Sequence, residues 1–363
     1  MMNKKLTTAL IVPLLFAAHP AYAYLTSGTC SRGYTSFFVG NGIISGGAFV
    51  AVTPGTAIYE CLASGSQRES ADTTTTNTFQ IERTNFSLLN QHITSQIVTQ
   101  SSLSLAAKSQ NTQSASADAS SSPVTFWGET NFSNLTDHDK KFGEFSTNIY
   151  QFTGGFDKRH GDIFYGSTLT YAYSDNSLPN NSSSTMHTVG VTPYIAYKIN
   201  DYLFASGLAS YNYSNTSNTF GLKNEIDTHD YSGEANINAF KVMDAFTLKG
   251  RAGVRYKHTF SSQQTGAWGR DSTFDEVTGI VDAQLDYRFD NGITIYSGAL
   301  YNHYVREASA ASIKINGNDV VWMRYGAEYA IRKGLLVGAK IENDLNDKTT
   351  NYLTGSLNVR LEI

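Results

Sequence analysis

From Val124 to Ile363 apolar and polar residues alternate in segment after segment, at the two-residue period of a β-strand. The pattern is plainest near the middle of the chain. Phe246, Leu248, Gly250, Ala252, Val254 and Tyr256 fall on one face, and Thr247, Lys249, Arg251, Gly253, Arg255 and Lys257 on the other. A sandwich core cannot take a strand with that many cations on one face. A membrane barrel can, with apolar residues toward lipid and charges toward a wet lumen. The next segments repeat the arrangement. The polar faces supply a set of lumen-facing charges: Glu234, Lys249, Arg251, Arg255, Lys257, Asp282, Asp286, Arg288, Arg324, Glu328, Lys340, Glu342 and Arg360. Two readings of the basic column Lys249–Lys257 stand side by side. It pairs with Asp282, Asp286 or Glu234, or it gives anion preference to a conducting pore.

The pattern predicts an all-β fold, a transmembrane antiparallel up-and-down barrel of about twelve strands. Their centres fall near Glu129, Tyr150, Leu169, Pro193, Gly207, Asn236, Ala252, Val281, Gly298, Gly326, Ala339 and Leu357. Pro193 inside a strand calls for a bulge or an early strand end. Short connections are expected at Asp157–Gly161, Asn200-Asp201, Met243-Asp244, Asp290–Gly292 and Lys333-Gly334. Between them lie longer polar ones at Ser174–Thr185, Ser214–His229, Phe260–Glu276 and Glu307–Asn318. Alternating short turns and long loops are what an outer-membrane barrel needs, and an even strand count leaves both barrel ends in the periplasm.

Upstream of the barrel the period changes. Leu89, Ile93 and Ile97 recur every four residues between Asn85 and about Lys108, a narrow apolar stripe on a polar helix. Such a helix is marginal alone in water and suits a polar channel. Ser109–Ser122 is a Ser/Ala/Gln linker with little to bury. Tyr24 to about Arg83 is a small Gly-, Ser- and Thr-rich region with short strands at Phe37–Val39 and Ala48–Val52. The expected organisation is therefore a signal peptide at 1–23, a small N-terminal region at 24–83, a helical linker at 84–122 and a barrel at 123–363.

Composition sharpens this picture. The only long apolar run is Leu6–Ala18; with Lys4 and Lys5 before it and Ala21-Tyr22-Ala23 after it, it reads as a secretory signal. Cys30 and Cys61 then sit in an oxidising compartment, where a disulfide is expected. Tyr 22 and Phe 20 against Trp 3 suit strands and interfacial girdles. A net charge of −4 without a basic patch argues against nucleic acid. No H-E-x-x-H, P-loop or G-x-S-x-G motif occurs, so no enzyme, cofactor or metal site is expected. Asp137-His138-Asp139, and His229 with Asp227 and Asp230, read as solvated loop charges.

Three stretches carry a family resemblance. They are Phe126-Trp127-Gly128-Glu129, then Gly154-Gly155-Phe156-Asp157 followed by Tyr165–Tyr171, then Val189-Gly190-Val191-Thr192-Pro193-Tyr194. With the order of parts, they resemble the autotransporter β-domain family of type V secretion. The resemblance implies a linker helix inside the barrel pore, outer-membrane lipid and the barrel-assembly machinery as partners, and surface placement of the N-terminal region toward a host or cell-surface ligand. The alternative is a porin-like outer-membrane channel whose N-terminal region stays periplasmic.

Overall fold

The computed structural model describes residues 34–41, 43–45, 48–50, 57–63, 77–78, 80–98, 124–137, 145–178, 182–218, 224–263, 272–306, 319–332, 335–345 and 350–362. The chain divides into two compact units, Met1–Leu62 and Ala63–Ile363. In the first, β1 (Tyr34–Asn41) pairs with β4 (Ala57–Ala63), and β2 (Ile43–Ser45) forms an antiparallel hairpin with β3 (Ala48–Val50). The expected signal peptide, the Ser109–Ser122 linker and Cys30 lie outside the described residues. So does the side chain of Cys61, and with it the expected disulfide.

The second unit is a helix and a closed barrel. Helix α1 spans residues 77–98. The barrel strands are β5 (Val124–Asp137), β6 (Phe145–His160), β7 (Ile163–Leu178), β8 (Ser182–Lys198), β9 (Leu203–Asn218) and β10 (Asn224–Met243). They continue as β11 (Phe246–Gln263), β12 (Ser272–Arg288), β13 (Ile293–Arg306), β14 (Asp319–Arg332), β15 (Leu335–Asp344) and β16 (Thr350–Glu362). Each strand pairs antiparallel with its chain neighbours. The seam closes between β16 and β5, from Thr350↔Asp137 to Glu362↔Thr125. Closure leaves no unpaired edge, the condition for placing backbone in hydrocarbon.

Side chains alternate along each strand as the pleat requires. One set, including Leu169, Val191, Ile237, Val254, Val281, Ile341 and Leu357, is large, apolar and exposed. The other set is buried and mostly polar, with Thr153, Thr170, Thr188, Ser214, Thr216, Thr228 and Asn302 almost inaccessible. An apolar outside over a polar inside is the reverse of a water-soluble barrel and fits lipid.

Every expected strand centre lies in a strand, but several connections differ. Asp157 is no turn residue: it belongs to β6, opposite Gly166, and the turn comes later, at Gly161-Asp162. Gly161 carries φ 60°, a left-handed conformation that glycine adopts without strain. Asp244 adopts φ 49° and Gly292 φ 84° at two further short turns. The strands at the long-loop rim run well past the expected loop starts, to Leu178, Asn218 and Gln263. Their outer ends are polar on both faces, so no alternation marks them. Pro193 causes neither a bulge nor a strand end. β8 and β9 keep one register on both sides of it, Val191↔Tyr211 and Tyr194↔Leu208. Proline has no N–H to donate there, and the Thr192 hydroxyl bridges to the Ser210 hydroxyl at 2.9 Å.

Helix α1 begins earlier than expected, at residue 77, inside the stretch assigned to the N-terminal region. Its first turns carry Asn77, Thr78, Gln80, Glu82 and Arg83, which show no apolar stripe. Residues 99–108, the remainder of the expected helix, lie outside the described set.

Candidate functional site: the helix in the lumen

α1 touches strands around the whole circumference, so it lies inside the barrel. Asn77 bonds Ser174 and Asn176 of β7 at 3.0 and 2.7 Å. Asn85 Oδ1 accepts from Gln151 and Thr153 of β6 and from Thr170 of β7. Asn90 donates to Glu234 of β10 at 2.8 Å and accepts from Asn236 at 3.1 Å. Arg83 reaches Glu342 of β15 at 3.3 Å and lies 3.7 Å above the Trp322 ring of β14. Glu82 meets Lys257 of β11 at 3.0 Å. The helix is about 30 Å long at 1.5 Å per residue, enough to span the hydrocarbon thickness.

The contacts also set its direction. Asn77 meets the outer part of β7, toward the long-loop rim. At the other end His92 pairs with Asp157 at 2.6 Å, and Ser95 accepts from Arg360 at 3.2 Å, both close to the short-turn rim. α1 therefore runs from the long-loop rim inward to the short-turn rim, where β5 begins.

The stripe Leu89, Ile93 and Ile97 packs with Phe86, Leu88 and Val98 against Trp127, Phe164, Tyr194, Phe204, Leu208 and Phe240. This apolar cluster sits on one side of the lumen. The rest of the helix faces polar groups. His92 stacks on Trp127 at 4.5 Å between ring centroids.

The barrel charges form pairs rather than a free column. Lys249 meets Asp286 at 2.6 Å. Arg251 bridges Glu234 at 2.9 Å and Asp282 at 3.2 Å. Arg255 holds Glu234 at 2.6 Å and covers the Phe86 ring of α1 at 4.6 Å. Lys257 lies between Glu82 and Asp230, at 3.0 and 3.5 Å. Arg324 pairs with Asp282, and Lys340 sits between Glu129 and Glu342 at 3.5 and 3.4 Å. Ions drawn out of bulk water hold their charge only with such partners. Glu328 and Arg360 are half-buried beside a cavity of about 60 Å³, lined also by Trp127, Tyr296 and Asp286. That is room for a few waters. Arg288 departs from the expected set. It has the inward parity, but β12 has already reached the short-turn rim there, and the side chain is exposed.

Sequence reading missed several lumen residues. Glu82 and Arg83 fell at the end of the small N-terminal region, and Asp157 in an expected turn. Asp227 and His229, read as loop charges, are strand residues of β10; Asp227 accepts from Tyr213 and Asn215, and Asp230 faces the interior beside Lys257. His138 and Asp139 lie outside the described residues.

The barrel has known counterparts. It is similar to the translocator domain of the autotransporter NalP from Neisseria meningitidis, at 13% identity and a TM-score of 0.58, over 73% of this chain and 97% of that one. It is also similar to the β-domain of the Bordetella autotransporter BrkA, at 12% identity and a TM-score of 0.55, over 67% of this chain and all of that one. No curated protein matches the chain. The family model of the autotransporter β-domain matches residues 126–356. A lipid-facing closed barrel of twelve strands and a match across most of its length lead to one conclusion: the chain belongs to the autotransporter family, and its barrel is an autotransporter β-domain of the bacterial outer membrane.

Proposed function

We propose that the barrel anchors the chain in the outer membrane and presents the region before α1 at the cell surface. The direction of α1 carries this reading. Asn77 lies toward the long-loop rim, and long loops face the outside in outer-membrane barrels. The polypeptide before residue 77 then leaves on the outer side. A periplasmic N-terminal region needs the opposite helix direction. The role this supports is that of a surface structural or interaction protein. A host or cell-surface ligand is the partner this role calls for, and the barrel-assembly machinery the one needed for insertion. The thirteen charges from Glu234 to Arg360 serve, Arg288 apart, to hold α1 and one another in place rather than to select anions. The domain limits follow, with the linker moved to begin at residue 77.

An epitope inserted between β4 and α1 tests the display. It should be accessible to antibody and protease on intact cells, while an epitope at the Asp244 turn is reached only after permeabilisation. Protection of the upstream epitope in intact cells would refute the reading.

A further inference from the structure

The lipid-facing side of the barrel carries a groove across the seam where β16 meets β5. It encloses about 650 Å³ and is walled by Phe132, Tyr150, Phe152 and Tyr173 on one side and by Ile341 and Leu357 on the other. Strand register builds it. Ile341, Gly355, Phe132, Tyr150 and Tyr173 follow one another in a single row across β15, β16, β5, β6 and β7. Glycine leaves a gap in that row, and a methyl group on Gly355 would meet nothing within 4 Å. The aromatic wall is continuous. The Phe132 and Tyr150 ring centroids lie 5.1 Å apart, and those of Tyr150 and Tyr173 6.4 Å. Phe152 closes the inner end. Its ring tips toward the short-turn rim over Gly128 and Gly154, where added methyl groups would approach it to 3.9 and 3.5 Å.

The outer end of the groove is polar. One step beyond Phe132 and Tyr150, on the same face, stand Asn134 and Asn148. Asn134 donates to Asn148 Oδ1 at 2.9 Å and accepts from Thr136 at 3.4 Å. The N–H groups of Asn148 have no partner among the described residues. The next residue in that row, opposite Asn148 on β7, is the acid Asp175. This end therefore repels phosphate and offers a donor to a carbonyl. Within a bilayer no hydrophobic force drives a lipid chain into a groove, because its surroundings are as apolar as the groove itself. Close packing against the rings, and a hydrogen bond made where the dielectric is low, are what hold one chain there.

We propose that the groove seats one acyl chain of an outer-leaflet glycolipid, with Asn148 donating to the carbonyl that joins this chain to the sugar. The long-loop rim faces outward, which sets Asn148 toward the outer interface and the groove below it. A glycolipid brings several acyl chains, each with its carbonyl near the interface. One of them fits the groove while the phosphates stay clear of Asp175. The assignment uses the orientation of the barrel and is independent of where the N-terminal region lies.

The full chain is reconstituted in phosphatidylcholine nanodiscs carrying lipid A, or its dephosphorylated counterpart, and then moved into lipid-free detergent. Lipid still bound to the barrel is identified by native mass spectrometry. The wild type should keep lipid A and lose phosphatidylcholine, and dephosphorylated lipid A should be kept equally well. Gly355→Phe fills the groove and should lower the retained lipid A at least about tenfold. Gly207→Phe, at a lipid-facing glycine of β9 whose added methyl group would meet only Ile195 at 3.9 Å, should retain lipid A as the wild type does. Asn148→Ala leaves the groove open and should lower retention about threefold through the lost hydrogen bond. Migration on unheated gels reads the folded state of each variant, and Asn148→Ala tests the site without adding bulk to the seam. Equal retention in Gly355→Phe and wild type, retention of phosphatidylcholine in place of lipid A, or loss on dephosphorylation overturns the proposal. So do paired barrels that separate in Gly355→Phe, a result that would make the groove a contact between copies of the chain.

Discussion

Glu234 has no exposure to water, yet it receives Arg251, Arg255, Asn90 and Asn236 together. Arg251 has a second acid in Asp282, but the described partners of Arg255 are Glu234 and the Phe86 ring. Glu234→Gln should therefore take from Arg255 the carboxylate that it bonds directly, leaving Glu82 and Glu276 as the remaining acids near it, and cost about 3–5 kcal/mol. Urea unfolding of the barrel in lipid vesicles measures this; a loss below about 1 kcal/mol would mean that water screens the site. At this scale the sequence was legible where a charge sat on an alternating strand. The basic column of β11 shows its parity because Val254 and Tyr256 mark the other face. Arg83, Glu82 and Asp157 have no such frame. Their partners Glu342, Lys257 and His92 are distant in the chain, and pairing across the lumen leaves no local pattern.

Among elements, ring-over-glycine contacts are the feature that alternation does not reveal. A methyl group on Gly326 of β14 would overlap the Tyr296 ring of β13, whereas one on Gly355 of β16 meets nothing within 4 Å. Gly326→Ala should destabilise by about 1–3 kcal/mol through overpacking. Gly355→Ala should stay within about 0.5 kcal/mol of wild type. Equal effects at both positions would mean that backbone freedom, not the ring, decides the cost. Helix α1 was legible only where it is apolar. Leu89, Ile93 and Ile97 mark the side against Phe204 and Phe240, while Asn77 to Arg83 fold as helix because barrel side chains receive their polar groups. The strand ends near Leu178 and Asn218 were hidden for the same reason. Asn176 and Ser184 satisfy each other across β7 and β8 at 2.9 Å, so serine and asparagine serve there as strand residues.

On the scale of the whole molecule, the order of short and long connections predicted which rim faces outward, and the direction of α1 extends that to the N-terminal region. Without α1, Asn85, Asn90, Glu82 and Arg83 take their partners away from Gln151, Glu234, Lys257 and Glu342. Those strand groups would then line an open, water-filled lumen. α1 plugs the pore, and single-channel conductance in planar bilayers reads this out. The full chain should show only rare, brief openings, and the chain lacking residues 77–98 a steady open level. Steady conductance of the full chain, unchanged by the deletion, would mean that α1 does not close the lumen.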